Sequence, residues 1–237
     1  MNEFRNYNDY DNYREESTEQ SFNAYLSRVF MWMFSGLAMS FATAYLTAHN
    51  MTLLRLIFGS SITVFALILV EIGLVSYLSV RIMKLSYGAA SGLFMLYSFL
   101  NGLTLSAIFL VYNLGSIYTA FLIAAALFAV MAVYGKVTKR DLSPLGSFFM
   151  MGLIGIILSS IINYFMKSDA FSFVISGIAV FVFAGLTAWD MQKLKRYHYS
   201  YGGTEIANNL AVLGALDLYL DFINLFLHIL RLISRRN

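Results

Sequence analysis

The last long apolar stretch of the chain carries polar side chains at a spacing that could support chemistry. Successive polar residues in it are separated by four, three, four, three and four positions. They are Asp217, Asp221, Asn224, His228, Arg231 and Arg235. On an α-helix this spacing places all of them on one narrow stripe. Because charged groups are costly at membrane depth, we expect the stripe to face a bundle interior or a water-filled path and not lipid.

Among the residues of the stripe, Asp217 and Asp221 are the hardest to explain by a purely structural role. They lie one helical turn apart in apolar surroundings, where carboxylates repel each other and lose hydration. With Asp190 from the preceding apolar run they would form a coupled cluster that titrates as a unit. A deprotonated cluster attracts Ca²⁺, which prefers oxygen ligands, whereas a protonated one can hydrogen-bond internally and close a path. The residues therefore indicate a proton-gated cation site, with purely structural carboxylates as the alternative.

Two buried acids also admit structural interpretations. Asp190 is followed by Lys193 and Lys195, so it could be an interfacial acid paired with a nearby lysine. Glu71 stands alone in the apolar run LILVEIGLV and needs either a partner or a proton. A buried ion pair with Arg231 would satisfy it and fix the register of two helices.

The remaining polar groups of the apolar runs are expected to support the site or the packing. We interpret His228 as a hydrogen-bonding side chain and not as a metal ligand, because His49 and His198 are expected in loop regions. Asn224 and His228 are candidates for supporting the acid pair from the next turns of the stripe. Asn101, which precedes a glycine, is typical of helix packing.

Composition places the chain among membrane proteins. Of its 237 residues 59% are hydrophobic and 12% are charged, whereas a soluble domain has about a quarter of charged residues. One proline and long unbroken apolar runs favour helices and argue against a β-barrel. The absence of cysteine excludes disulfides and thiol chemistry. Basic residues cluster at the ends of apolar runs, so the expected partner is the lipid bilayer and not nucleic acid. No cofactor is expected.

The hydropathy pattern predicts an all-α membrane protein with two parts. Residues 1–20 are polar and tyrosine-rich and predict a disordered or loosely attached tail. Residues 21–237 predict a transmembrane domain whose apolar segments are each about 20 residues long. Seven spans are predicted at about 25–48, 58–80, 86–111, 115–135, 145–166, 170–190 and 207–232.

Charge in the connections predicts the orientation. The connections after spans two, four and six carry Arg81, Lys84, Lys136, Lys139, Arg140, Lys193, Lys195 and Arg196. Those after spans one, three and five carry only Arg55 and Lys167. The positive-inside rule therefore places the amino terminus in the cytoplasm. Seven crossings would place the carboxyl terminus outside, although Arg235 and Arg236 leave a re-entrant last segment as the alternative; its length favours crossing.

Three sequence motifs resemble those of one family of membrane proteins. DLYLDFINLF at 217–226, LYSFLNGLTLSAIFLVY at 96–112 and YGKVTKRDLS at 134–143 are similar to motifs of the Bax inhibitor-1 family, and of its bacterial members in particular. The similarity covers nearly everything after the tail. It implies a seven-transmembrane-helix bundle in which the carboxyl-terminal helix is central and the other six surround it.

The resemblance also implies a site. In the family an aspartate on helix six and one on helix seven form the pH-sensitive element of a calcium leak, and Asp190 and Asp221 occupy the matching positions. They are the residues expected to bind the metal ion. Asp217 matches an additional acid that some family members have.

Two further family features map onto charged residues of this chain. A basic residue near the inner end of helix two latches onto the aspartate of helix six in the family. Arg81 and Lys84 both fit this position. Glu71 and Arg231 match an acid–arginine pair that links helices two and seven.

The function expected from these features is a pH-sensitive calcium leak across the cytoplasmic (inner) membrane, with Ca²⁺ and protons as its ligands. The alternative is a non-transporting regulator that binds other membrane proteins, such as a membrane-anchored protease, and uses the tail for docking. An intramembrane aspartyl protease also sets two aspartates on consecutive helices. Leu216 stands where that motif has glycine, and Pro144, the only proline, precedes span five, so no enzyme is expected.

Overall fold

The apolar runs of the sequence fold into long helices in the computed structural model. The structure describes the backbone of residues 2–234 and the side chains of residues 19–234, and no β-strand occurs in this part. The helices are α1 (Asn2–Ala48), α2 (Met51–Phe58), α3 (Ser61–Arg81), α4 (Tyr87–Leu105), α5 (Ile108–Val111), α6 (Leu114–Val137), α7 (Ser143–Met166), α8 (Asp169–Tyr201) and α9 (Ile206–Ser234). A 3₁₀ turn at Ile82–Lys84 extends α3.

Residues with short polar side chains cap the amino-terminal ends of several of these helices. The side-chain oxygens of Asn50, Ser86, Asn113 and Ser168 accept backbone N–H groups from the first turns of α2, α4, α6 and α8. These bonds satisfy donors that a helix start leaves unpaired. α7 ends at Met166, and the next residue, Lys167, has a left-handed φ of 50° that stops the helix. The polar connections between the apolar runs thus define the helix ends.

The predicted membrane spans are confirmed by the described helices. Seven segments of the described chain are long and apolar enough to cross a membrane: Glu19–Ala48, Ser61–Lys84, Tyr87–Val111, Leu114–Val137, Ser143–Met166, Asp169–Tyr201 and Ile206–Ser234. The short helix α2 lies between the first two spans, where the sequence pattern predicted only a connection. The chain is therefore a multi-pass membrane protein.

The sixth span is longer than predicted. The hydropathy pattern ended it at residue 190, but α8 continues for 33 residues to Tyr201. Lysine and arginine are good helix formers, so the basic segment after Asp190 continues the helix. Asp190 therefore lies inside a helix and not at its end, and His198 lies on α8 and not in a loop.

The carboxyl-terminal helix is the core of the bundle, as predicted. In its apolar segment 78% of residues are buried, against 6% in α3 and 50% in α8. α9 packs against α8, α6, α1 and α4. It is a continuous helix of 29 residues, as the crossing interpretation requires. The seven-helix bundle with a central last helix is therefore confirmed.

Two glycines allow the surrounding helices to approach closely. A side chain at Gly135 on α6 would overlap the backbone of Ala188 on α8. A side chain at Gly102 on α4 would overlap the backbone of Ser40 on α1. Small residues at such crossings bring helix backbones together in membranes. The first contact lies beside the stretch of α8 that carries Asp190.

The predicted tail of residues 1–20 lies mostly outside the side chains that the structure describes. The backbone of residues 2–20 belongs to α1, and of their side chains only those of Glu19 and Gln20 are described, both of them exposed. The tail therefore stays a prediction.

Candidate functional site

The acid cluster, defined as Asp190, Lys193, Asp217 and Asp221, lies where α8 packs against α9. Asp190 is on α8, with 6% of its surface exposed, and Asp221 is on α9, with 4% exposed. Burial of both acids results from the close packing of these two helices around the bundle core. The sequence prediction that these two aspartates lie on neighbouring helices corresponds to this arrangement of α8 and α9.

Lys193 holds two of the three acids together. Its ammonium lies 2.9 Å from an Asp190 oxygen one turn earlier on α8. It also lies 2.7 Å from an Asp217 oxygen on α9. One lysine thus pairs with an acid on each helix, and its side chain is only 20% exposed. A lysine partner for Asp190 was one of the predicted alternatives, and the structure forms this pair between α8 and α9 with both side chains largely buried.

The third acid, Asp221, contacts Asp190 and Thr187 and not the ammonium. Its carboxyl lies next to the Asp190 carboxyl and next to Thr187, whose hydroxyl donates to the Phe183 carbonyl at 2.8 Å. Two carboxylates have only acceptor atoms, so a hydrogen bond between them requires one shared proton. The Asp221 oxygen Oδ2 is buried, and no hydrogen-bond donor reaches it. The cluster therefore combines two neighbouring buried carboxyls with a buried acceptor atom that no donor reaches.

Aromatic residues enclose the acid cluster. The Lys193 ammonium lies 5.0 Å from the centre of the Trp189 ring, a distance typical of a cation–π contact. Tyr25 of α1 and Tyr197 of α8 lie near Asp217, and the Tyr25 hydroxyl is buried without a partner. Trp189, Tyr25 and Tyr197 thus place aromatic side chains of α1 and α8 around the charged groups.

A second polar group, the Glu71 network, lies on the other side of α9. The Glu71 carboxylate accepts hydrogen bonds from Asn101 Nδ2 at 3.2 Å and Thr104 Oγ1 at 2.5 Å. Tyr219 Oη donates to Asn101 Oδ1 at 2.8 Å and lies 2.6 Å from Ser40 Oγ. These bonds connect α3, α4, α9 and α1 through one chain of side chains. The network satisfies Glu71 without a basic residue.

The predicted ion pair of Glu71 with Arg231 is not formed in the structure. Arg231 is exposed on the last turn of α9. Asn101 and Thr104, which the packing of α4 against α3 brings to Glu71, take the place of the arginine.

The predicted latch residues do not reach the acid cluster in this structure. Arg81 ends α3 and Lys84 lies in the following 3₁₀ turn, and both are exposed. Among the described side chains, Lys193 is the basic residue that is ion-paired with Asp190. The latch role of Arg81 or Lys84 stays a prediction.

The later members of the α9 stripe follow α8 but do not contact the acids. His228 Nδ1 lies 3.3 Å from Ser176 Oγ, and its ring stacks on Phe183. Asn224 donates to the carbonyl of Leu220 in its own helix at 2.8 Å. Arg235 lies outside the described residues. The hydrogen-bonding interpretation of His228 agrees with these contacts.

The connection between α6 and α7 is fastened to α8 next to the acid cluster. Gln192 accepts the Leu142 N–H and donates to the Arg140 carbonyl, both at 2.8 Å. Asp141, which is outside the membrane spans, accepts the Ser143 N–H at 2.9 Å. This backbone hydrogen bond lowers the pKa of the Asp141 carboxyl below its usual range. The connection is thereby held against the segment of α8 that follows Asp190.

The described side chains, residues 19–234, include no group of three or more histidine, aspartate or glutamate residues arranged to hold a metal ion. Asp190 and Asp221 are close together, but Asp217 is turned toward Lys193. A cation bound by all three acids would therefore require the lysine to move.

Sequence reasoning missed some residues of the two polar groups. The bond of Lys193 to Asp190 has a local signal, since residues three apart on a helix are neighbours. Its bond to Asp217 has none, because that contact depends on the register between α8 and α9. Thr187, Tyr25 and Tyr219 also gave no signal, since such residues are common in apolar helices.

Known proteins match this chain along nearly its whole length. The family described as inhibitor of apoptosis-promoting Bax1 matches residues 22–237. The inner membrane protein YbhL of Escherichia coli is 44% identical over 214 residues, which cover 90% of this chain and 92% of that protein. An uncharacterised protein of Borreliella burgdorferi is 45% identical over 215 residues, covering 90% and 93% of the two chains. Another, of Deinococcus radiodurans, is 39% identical over 223 residues, covering 94% and 95%.

These matches and the observed bundle agree with the resemblance of the three motifs. The chain belongs to the Bax inhibitor-1 family of membrane proteins.

Proposed function

We propose that this protein is a pH-sensitive calcium leak of the cytoplasmic (inner) membrane, gated by Asp190 and Asp221. The observation that carries the proposal is the contact between these two buried carboxyls on neighbouring helices. Such a contact needs a shared proton, and loss of that proton leaves two adjacent negative charges in apolar surroundings. The site would then favour a divalent cation with oxygen ligands.

The shared proton gives the pair two states with different chemistry. With the proton, the Asp190–Asp221 hydrogen bond joins α8 to α9, and the central helix stays packed. Without it, the carboxylates repel each other and either separate or bind a cation between them. Ca²⁺ is the transported ion in this proposal, and its binding competes with the proton.

The membrane and the orientation follow from the relatives and from charge. The Escherichia coli relative is named an inner membrane protein. Basic residues lie at the ends of α3, α6 and α8, which all point to one side of the bundle by connectivity. The positive-inside rule assigns that side, together with the amino terminus, to the cytoplasm. The acid cluster would then lie near the cytoplasmic end of the path.

A second candidate function is a regulator that transports nothing and binds other membrane proteins. In this alternative the polar amino-terminal tail, residues 1–20, is the segment that docks onto the other proteins. Deletion of residues 1–20 separates the two functions. A leak would keep its ion flux without the tail, whereas regulation through the tail would be lost.

Calcium flux into proteoliposomes tests the proposal. We expect flux of the wild type to vary between about pH 5 and about pH 8, and Asp190→Asn and Asp221→Asn to lose this variation. An asparagine cannot exchange the shared proton, which is the physical reason for the loss. No flux above that of empty vesicles at any pH, from folded protein, would contradict the leak and favour the regulator.

A further inference from the structure

The ammonium of Lys193 stands where a cation bound by the acid cluster would stand. It lies 2.9 Å from Asp190 Oδ1 on α8 and 2.7 Å from Asp217 Oδ2 on α9. Ca²⁺ binds oxygen ligands at about 2.3–2.6 Å. An ion bound by the same two oxygens would therefore need the space that the ammonium fills. The lysine and the ion cannot both be present there.

The position of Lys193 is fixed by more than its two ion pairs. Its ammonium also lies 5.0 Å from the centre of the Trp189 ring, and only 20% of the side chain is exposed. By contrast, Lys195, two residues further on, points to the ring of Tyr199 at 6.0 Å and makes no ion pair with a described carboxylate. Lys193 is thus part of the site, whereas Lys195 is a half-buried lysine that lies outside it.

The acid cluster has more carboxyls than ammonium groups, so it can attract a cation of higher charge than that of Lys193. Asp190, Asp217 and Asp221 provide three carboxyls against the one ammonium of Lys193. The other titratable side chains that face them are Tyr25 of α1 and Tyr197 of α8. Asp221 Oδ2 is buried without a partner, although the carboxyl that carries it touches Asp190. It is a buried acceptor atom of the cluster with which the lysine forms no ion pair.

We infer that Lys193 is a built-in competitor that occupies the cation site of the acid cluster, so that a divalent cation binds only by displacing its ammonium. This inference rests on the proposed function for the position of the cation site. It accounts for the absence of a preformed metal site among the described residues. Displacement would free Asp190 and Asp217 to bind the cation together with Asp221. The flexible side chain of a lysine allows such a movement without a change in the helix backbone.

Calcium binding to the purified protein in lipid nanodiscs, measured by titration calorimetry at about pH 8, tests the inference. We expect Lys193→Gln to bind Ca²⁺ about tenfold more tightly or more, because the competing charge is gone. Lys193→Arg keeps the charge and should bind no more tightly than the wild type. Lys195→Gln is the matched control and should leave the affinity unchanged.

A second measurement needs only the wild type, so it stands even if a neutral variant does not fold. Labelling of lysines with an amine reagent, read by mass spectrometry, should modify Lys193 faster when Ca²⁺ is added. Labelling of Lys195 should not change. Equal labelling of Lys193 with and without bound Ca²⁺ would overturn the inference.

The outcomes separate this inference from the proposed function. Unchanged or weaker Ca²⁺ binding by folded Lys193→Gln, with flux that still depends on Asp190 and Asp221, would overturn the inference alone. Tighter binding by Lys193→Gln, with no flux in any variant, would support the inference and contradict the leak.

Discussion

The acid cluster and the Glu71 network are two buried polar groups that lie on different sides of α9. Their carboxylates differ in the partners that they contact. In the Glu71 network both carboxylate oxygens accept a hydrogen bond from a neutral donor. In the acid cluster the one ammonium pairs with two of the three carboxyls, and no hydrogen-bond donor reaches Asp221 Oδ2. The first group is satisfied, whereas the second has acceptor capacity left over.

The difference indicates which group can change state. A satisfied buried network fixes one arrangement of its helices, because any movement leaves polar groups unpaired at a cost. A cluster with excess negative charge can gain a proton, an ammonium or a metal ion, and each choice changes how α8 and α9 attract each other. We therefore interpret the Glu71 network as the fixed part of the bundle and the acid cluster as the responsive part.

The largest difference between the two groups is expected when one acid of each is replaced by its amide. Asp221→Asn should reduce the ratio of calcium fluxes at about pH 8 and about pH 5 to about one, because the shared proton is lost. Glu71→Gln should keep the pH dependence of the wild type, since its carboxylate is satisfied by neutral donors. Proteoliposome flux measures both. A loss of pH dependence in Glu71→Gln would break the comparison.

A smaller effect is expected for Tyr219→Phe, which weakens the fixed part. The change removes the hydroxyl that donates to Asn101 and lies against Ser40. Leaving these buried groups without a partner should lower the free energy of unfolding by about 1–3 kcal/mol. Denaturant unfolding in detergent micelles, followed by circular dichroism, measures the loss. Tyr118→Phe, at a tyrosine that is exposed on α6, is the matched control and should change little.

If Tyr219→Phe and Tyr118→Phe are equally stable, the Glu71 network does not fix the bundle. A changed pH profile of calcium flux in Tyr219→Phe, with unchanged stability, would assign the network to the responsive part instead.

The smallest effect is expected at Asp141, an exposed acid outside the membrane. Its hydrogen bond from the Ser143 N–H lowers its pKa. An acid with a lowered folded pKa stabilises the fold above its unfolded pKa, and this stabilisation is lost as pH falls through the folded value. Asp141→Asn should therefore flatten the acid side of the thermal stability profile slightly.

Melting temperatures between about pH 3 and about pH 7 measure the effect at Asp141. Glu205→Gln is the control, since its side chain makes no hydrogen bond among the described residues. A profile of Asp141→Asn that is the same as that of the wild type would contradict the stabilising role of this hydrogen bond.

Much of the fold could be predicted because membrane depth imposes long apolar helices and costly charges. The seven spans and the central position of α9 followed from hydropathy and from the resemblance. The spacing of Asp217 and Asp221 predicted their common face, because it is set by one helix. The predicted end of the sixth span was wrong, because hydropathy shows where the apolar run stops, whereas α8 continues beyond it to Tyr201.

The contacts between helices could not be predicted in the same way. The bond from Lys193 to Asp217 depends on how far α8 is shifted along α9. The choice of Asn101 and Thr104 as partners of Glu71 depends on the packing of α4 against α3. The periodicity of a single helix determines neither the register of α8 along α9 nor the packing of α4 against α3. The sequence alone therefore allowed several partners for Lys193 and for Glu71.

Proton release on calcium binding tests the central claim, that Asp190 and Asp221 share a proton that a cation replaces. The measurement adds Ca²⁺ to the purified protein in weakly buffered solution and records the change in pH. We predict release of about one proton for each Ca²⁺ bound by the wild type, and none by Asp221→Asn. Binding of Ca²⁺ without proton release from the wild type, or equal release from Asp221→Asn, would contradict the account.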